Sequence, residues 1–144
     1  MFCRILFAIA ALAIVGCEMN TKADPYANKN TEPAQLAAFA ATAKYPTDAQ
    51  PKEGMNVAVL DHGDNIRLIN FREEPVRNVN VWVNGMFVHH VDMIPSMGSV
   101  TLDNKVFYDG TGRPLTRSQT APMRITLQQD QTIYSTLGPV NDNK

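Results

Sequence analysis

Residues 76–83 read Val-Arg-Asn-Val-Asn-Val-Trp-Val, and Asn84-Gly85 follows. Val79, Val81 and Val83 alternate with Asn78, Asn80 and Trp82. A period of two is the signature of an extended strand with one apolar and one mixed face. Asn-Gly readily accepts the two positive φ angles of a two-residue type I′ hairpin turn. Met86 to Val91 then returns as the second strand. A two-residue loop implies a register. Val83 opposes Met86, Trp82 opposes Phe87, Val81 opposes Val88, Asn80 opposes His89, and Val79 opposes His90. Val79, Val81, Val83, Met86 and Val88 then form the core face. Asn78, Asn80, Trp82, Phe87, His89 and Val91 form the other.

The same grammar recurs on both sides of this hairpin. Val57–Leu60 and Ile66–Phe71 read as strands joined across Asp61-His62-Gly63-Asp64-Asn65. Arg72-Glu73-Glu74-Pro75 and Ile94-Pro95-Ser96-Met97-Gly98 read as turns. Ser99–Leu102 and Val106–Tyr108 are short strands, and Asp109-Gly110-Thr111-Gly112 is a second hairpin-type turn. Met123–Gln128 and Thr132–Leu137 make a last pair, joined near Gln129-Asp130-Gln131. Seven or eight strands with frequent turns and no intervening helical pattern predict an all-β antiparallel fold over residues 55–138, a sandwich or a small barrel. The phrase Val-Asn-Val-Trp-Val-Asn-Gly at residues 79–85, the Pro95-x-x-Gly98 turn and Ser99-Val100-Thr101-Leu102 together resemble immunoglobulin-like domains of bacterial envelope proteins. The resemblance implies an immunoglobulin-like β-sandwich, without the paired cysteines of antibody domains.

The mixed hairpin face is the candidate binding face: Asn78, Asn80, Trp82, Phe87 and His89. Aromatic rings stack on sugars or partner side chains, and amides supply hydrogen bonds. Two arrangements are open. The face is exposed, or it is covered by a neighbouring strand or by an upstream helix through Leu36 and Phe39.

Catalytic and metal chemistry is poorly supplied. On one strand His89 and His90 point to opposite faces, so His89-His90-Val91-Asp92 offers at most His90 and Asp92 together. A zinc site needs three or four converging ligands, and His62 sits on a distant turn. Asp109-Gly110-Thr111-Gly112 lacks the repeated acids and closing Glu of a calcium loop. Ser96-Met97-Gly98-Ser99 is a turn, not a nucleophile elbow. Glu73-Glu74 beside Arg72 and Arg77 read as solvated ion pairs. The expectation is no enzyme, no metal and no cofactor. The chain carries 13 Lys+Arg against 14 Asp+Glu, a net charge of -1. That balance lacks the basic footprint of a nucleic-acid binder.

The N-terminus reads as an address. Arg4 precedes an apolar run, Ile5 to Val15, which is too short to span ~30 Å of hydrocarbon and fits a secretory signal. Ile14-Val15-Gly16-Cys17 resembles the lipobox of bacterial lipoproteins. The resemblance implies cleavage after Gly16 and diacylglyceryl on the Cys17 sulfur, usually followed by acylation of its amine. One chain binds only marginally, at about 0.8 kcal/mol per buried CH₂, while two or three hold a protein at a membrane. Glu18, where enterobacterial inner-membrane lipoproteins carry Asp, leans toward the outer membrane in a host that has one. Removal of residues 1–16 takes Arg4 and no acid, so the mature chain has 12 basic and 14 acidic residues.

Residues 17–54 read as a tether on that anchor. Residues 18–30 are polar. Thr31, Pro33 and the run of alanines predict a short helix over 33–44, with Leu36, Phe39, Ala40 and Ala43 on one face. It docks on the domain, or it stays marginal in a mobile spacer. Residues 139–144 are a polar tail. Taken together, the expectation is a non-enzymatic lipid-anchored protein of the bacterial cell envelope. It acts in binding or assembly beside an envelope protein partner. The alternative is a ligand-binding module, for glycan, on the aromatic and amide face.

Overall fold

The computed structural model describes residues 32–116 and 123–138. The signal peptide, Cys17, the polar tether, Thr31 and the polar tail lie outside these residues. Seven strands and one α-helix are found among the described residues: α1 (Pro33–Thr42), β1 (Val57–Asp61), β2 (Asn65–Asn70), β3 (Val76–Val83), β4 (Phe87–Ile94), β5 (Ser99–Asp103), β6 (Ile125–Gln129) and β7 (Thr132–Ser135). They form a three-stranded sheet, β1-β2-β5, and a four-stranded sheet, β4-β3-β6-β7. Every strand pair is antiparallel. This is an all-β antiparallel sandwich. The hairpins β1-β2, β3-β4 and β6-β7 each stay within one sheet, and the chain changes sheet between them.

Alternation builds the core. Ile66 and Leu68 of β2 face Val79, Val81 and Val83 of β3, with Leu127 of β6 and Phe107 among them, all fully buried. The chain enters the sandwich along the edge of β7. Lys52 bridges Tyr134, and Ala58 within β1 bridges Leu137, both in parallel, so the chain from Lys52 into β1 ties the two sheets together. Ala58 is buried for that reason, although it points away from the inter-sheet core.

Two sequence expectations change. The pairing of β3 with β4 is Val83 with Phe87, Trp82 with Val88, Val81 with His89, Asn80 with His90 and Val79 with Val91. Asn84 and Gly85 do take positive φ, 54° and 68°, and the Met86 N–H does close on the Val83 carbonyl at 3.1 Å. Met86 is nonetheless left out of the ladder and is exposed. Asn84 explains the longer loop. Its N–H donates to the Arg124 carbonyl, and its Oδ1 accepts from the Arg124 N–H, both at 2.8 Å. This residue serves the β6 side of β3 as well as the turn. The core face is therefore Val79, Val81, Val83, Phe87, His89 and Val91 rather than one including Met86 and Val88.

The second change concerns Val106–Tyr108, which is not a strand. Asn104–Val106 is a single 3₁₀ turn, capped by the Asp103 side chain on the Lys105 N–H at 2.9 Å. Asn104 is held by its N–H to the Asp64 carbonyl and by its Nδ2 to the Gly63 carbonyl. Tyr108 then makes isolated bridges to Val88 and Pro114. Proline lacks the N–H that a longer ladder would need.

One end of the small sheet is organised by Asn70, which is completely buried. Its Nδ2 donates to the carbonyls of Glu74 at 2.9 Å and Pro95 at 3.1 Å, and its Oδ1 accepts from the Arg72 N–H at 2.9 Å. The loops 71–75 and 95–98 are thereby fastened to each other. Replacement by an apolar side chain of similar size strands these backbone groups. Asn70→Leu is expected to cost about 2–4 kcal/mol, read as a lower midpoint in urea unfolding with an unchanged slope.

Candidate functional site

The shift in register divides the sequence-predicted face. Asn80 and Trp82 remain on the outer side of the large sheet. Phe87 and His89 turn inward, because a slip of one residue exchanges the faces of a strand. Asn78 is exposed and takes a φ of 49°. It marks a kink: Val76 and Val79, three residues apart, both reach the core, as do Val91 and Ile94 opposite them. Val88 and His90 take the outward places in β4.

The outer face is covered. Of the two arrangements open for the helix, docking is the one found. Leu36 and Ala40 of α1 are buried in a cluster with Trp82, Val88, Tyr108 and Ile133, while Phe39 and Tyr45 pack against its margin. Trp82 is only 3% exposed. Its Nε1 donates to Gln128 Oε1 at 2.8 Å, and the Tyr45 ring meets it edge-on at 5.3 Å. Beside it, His90 Nδ1 lies 2.8 Å from Asn80 Oδ1, and Nε2 lies 3.4 Å from Asp92 Oδ1. The Phe39 ring packs against the imidazole at 5.9 Å. The helix therefore seats on both the aromatic and the polar parts of this face.

His89 sits in a different environment. It is 3% exposed, edge-on to Phe107 at 5.7 Å, and its Nδ1 has no hydrogen-bond partner. Burial is the main reason its pKa is pushed down to about 4, and a charge on His90 would add to this. A hydrogen bond to the Val106 backbone and the carboxylate of Asp92 oppose the shift. A buried neutral imidazole of this kind is a core residue rather than a ligand.

Among the described residues, no three His, Cys, Asp or Glu side chains converge as metal ligands. The Asp109 turn is occupied by its own donors. The Arg113 N–H, Thr111 Oγ1, the Thr111 N–H and Arg113 Nε all donate to this carboxylate. The Arg113 backbone bond is the largest cause that holds its pKa down at about 2. Arg72 and Glu74 pair at 3.3 Å on the surface.

Sequence reasoning missed a different set of residues. Phe71, Met97 and Leu137 are large, apolar and 52%, 67% and 47% exposed. Backbone bonds place them in a row along one end of the small sheet. Met97 N–H meets the Arg72 carbonyl, Phe71 N–H meets the Asn56 carbonyl, and Leu137 N–H meets the Val57 carbonyl. Met97 occupies the third position of the Pro95–Gly98 turn with a φ of 47°, where Gly or Asn ordinarily sits. Its neighbour cannot take over a side chain, since a Cβ on Gly98 would lie 2.8 Å from Pro95 Cγ. The turn was legible in the sequence, but the protruding side chains were not.

No described helix is long and apolar enough to cross a membrane. Compared with protein-family models, curated proteins and solved structures, the chain matches none.

The His89 environment sets an acid limit on stability. Between pH 6.5 and about 4 the unfolded chain takes up a proton that the folded core refuses. Stability therefore falls as pH falls through this window, by about 3 kcal/mol from this residue if the whole shift is expressed. Urea unfolding at several pH values should show this slope, and His89→Leu should flatten it.

Proposed function

We propose that this chain is a lipid-anchored protein of the bacterial cell envelope that works by binding or assembly rather than catalysis. The Ile14-Val15-Gly16-Cys17 sequence carries the anchor. The observation that carries the binding role is the end of the small sheet. Asn70 fastens two loops there, and Phe71 and Met97 stand out of them into solvent. Side chains displayed on a braced backbone lose less freedom on docking than side chains on a loose loop. An apolar Met at a positive φ costs free energy that a glycine would not, and this supports a role beyond the fold. Binding sites on sandwiches are commonly built from loops gathered at one end.

The glycan reading draws less support. Trp82, its central residue, lies under α1 with its indole N–H already bonded to Gln128. The assembly reading needs no opening of that face. The partner that fits the exposed end is an envelope protein offering an apolar recess to Phe71 and Met97.

Two measurements bear on these points. Intact mass of the membrane-extracted protein should give a chain beginning at Cys17 with added acyl mass, and Cys17→Ala should lose both cleavage and acylation. A full-length unacylated wild-type chain would remove the anchor. A photo-crosslinking residue at Phe71 or Met97 should yield a discrete adduct in intact cells. The same group at Thr101, exposed elsewhere on the small sheet, should yield none. Equal adducts from all three positions would count against a docking end.

A further inference from the structure

α1 is the one described α-helix, and it lies outside both sheets. It has ten residues, fewer than the ~12–15 at which an isolated helix begins to hold in water. The N-terminal end has no side-chain cap, and at the C-terminal end the Thr42 hydroxyl donates to the Phe39 carbonyl at 2.9 Å. Glu32 at the N-cap makes no side-chain hydrogen bond, the first turn has no acid, and the last turn has no base. Helix and docking therefore form together. The seat is small: Leu36 and Ala40 are the only residues of α1 that are buried. It is also separate from the inter-sheet core, for Trp82, Val88, Tyr108 and Ile133 make a cluster of their own with the helix. The turn at Gly110 and Gly112 lies against the helix: a Cβ on Gly112 would lie 3.6 Å from the Ala37 Cβ and one on Gly110 would lie 4.0 Å from the Ala40 carbonyl oxygen, both ordinary contacts.

We propose that α1 is a strap that docks and undocks as a unit while the sandwich stays folded, covering and uncovering Trp82, Val88, Tyr108 and Ile133. The partition of apolar contacts is what carries this. Departure of α1 removes contacts from the outer cluster and takes no buried residue from the inter-sheet core, the two clusters sharing only the half-buried Val106. Trp82 retains its bond to Gln128 and its contact with Tyr45. A weakly nucleated helix on a separate cluster is the kind of unit that opens below the global unfolding free energy. With the lipid-anchor reading, on which this consequence rests, the strap also sets reach. Docked, residues 18–32 link Cys17 to the domain, at most ~54 Å at ~3.3–3.6 Å per residue; undocked, residues 18–44 do so, at most ~97 Å.

Hydrogen exchange on the membrane-extracted protein tests the strap directly. The amides of residues 36–42 should exchange at least about tenfold faster than those of residues 79–83. Leu36→Asp should undock the helix, with redder Trp82 emission and several-fold stronger acrylamide quenching, while residues 79–83 keep their protection. Ala37→Cys with Gly112→Cys should lock it at some cost in backbone strain, since Gly112 has a φ of 81° while the 3.6 Å approach suits a disulfide's ~3.5–4.5 Å Cβ separation. Oxidation should then slow exchange in α1 toward that of β3, and reduction should restore it. Equal exchange of α1 and β3 in the wild type would overturn the proposal, as would loss of β3 protection in Leu36→Asp. Fast α1 exchange on an unacylated chain would refute the anchor and keep the strap. An acylated chain in which α1 and β3 exchange together would do the reverse.

Discussion

The pairing of Val83 with Phe87 is the constraint on which the rest of this molecule depends. β3 is an inner strand, bonded to β4 on one side and β6 on the other. Its end must satisfy both neighbours, and Asn84 does so through two bonds to Arg124 while also opening the turn. Met86 is the residue left over. This one extra residue puts Phe87, His89 and Val91 between the sheets and leaves Val88 and His90 outside. A shorter loop would bury Met86 and turn Phe87 and His89 outward, because strand faces exchange with every single step of register.

Two apolar clusters follow from that choice. The inner one joins the sheets, and the outer one joins the large sheet to α1. Trp82 belongs to the outer cluster, so the side chain that looks most like a recognition residue is occupied within the chain itself. The polar neighbours are used as well. Gln128 meets the indole N–H, and Asn80 and Asp92 flank His90 beneath Phe39. Phe71 and Met97, which stay exposed, lie elsewhere, at the loops braced by Asn70. There a buried amide does what a hydrophobic side chain could not, since the ends of strands and turns leave backbone carbonyls and N–H groups that need partners.

The strand pattern was legible because burial on one face writes a period of two into the sequence. Val76–Val83 and the turns at residues 61–65, 95–98, 109–112 and 130–131 were all readable in this way. The helix over 33–42 was readable from Pro33 and the alanines, two residues shorter at its C-terminal end than expected. The exposed end was not. Phe71 and Met97 look like ordinary strand-end and turn residues until the neighbouring chains are in place. Nor was Val106–Tyr108, whose β-branched and aromatic residues suit a strand. Bonds from Asn104 to Gly63 and Asp64, distant in the chain, hold the preceding residues in a 3₁₀ turn instead.

By itself, then, the sequence determined the class of fold, the positions of most strands and turns, and the presence of a short helix ahead of the sandwich. These depend on local backbone preference and on alternation, both of which are properties of neighbouring residues. Tertiary structure alone decided which side of β4 faces inward, what covers Trp82, and which apolar side chains stay in water. Each of those depends on a partner far along the chain: Arg124 for Asn84, α1 for Trp82, and Asn70 with Pro95 for the loop that carries Met97. Periodicity sorts residues into faces, but the bonds made across the fold settle which face meets the core.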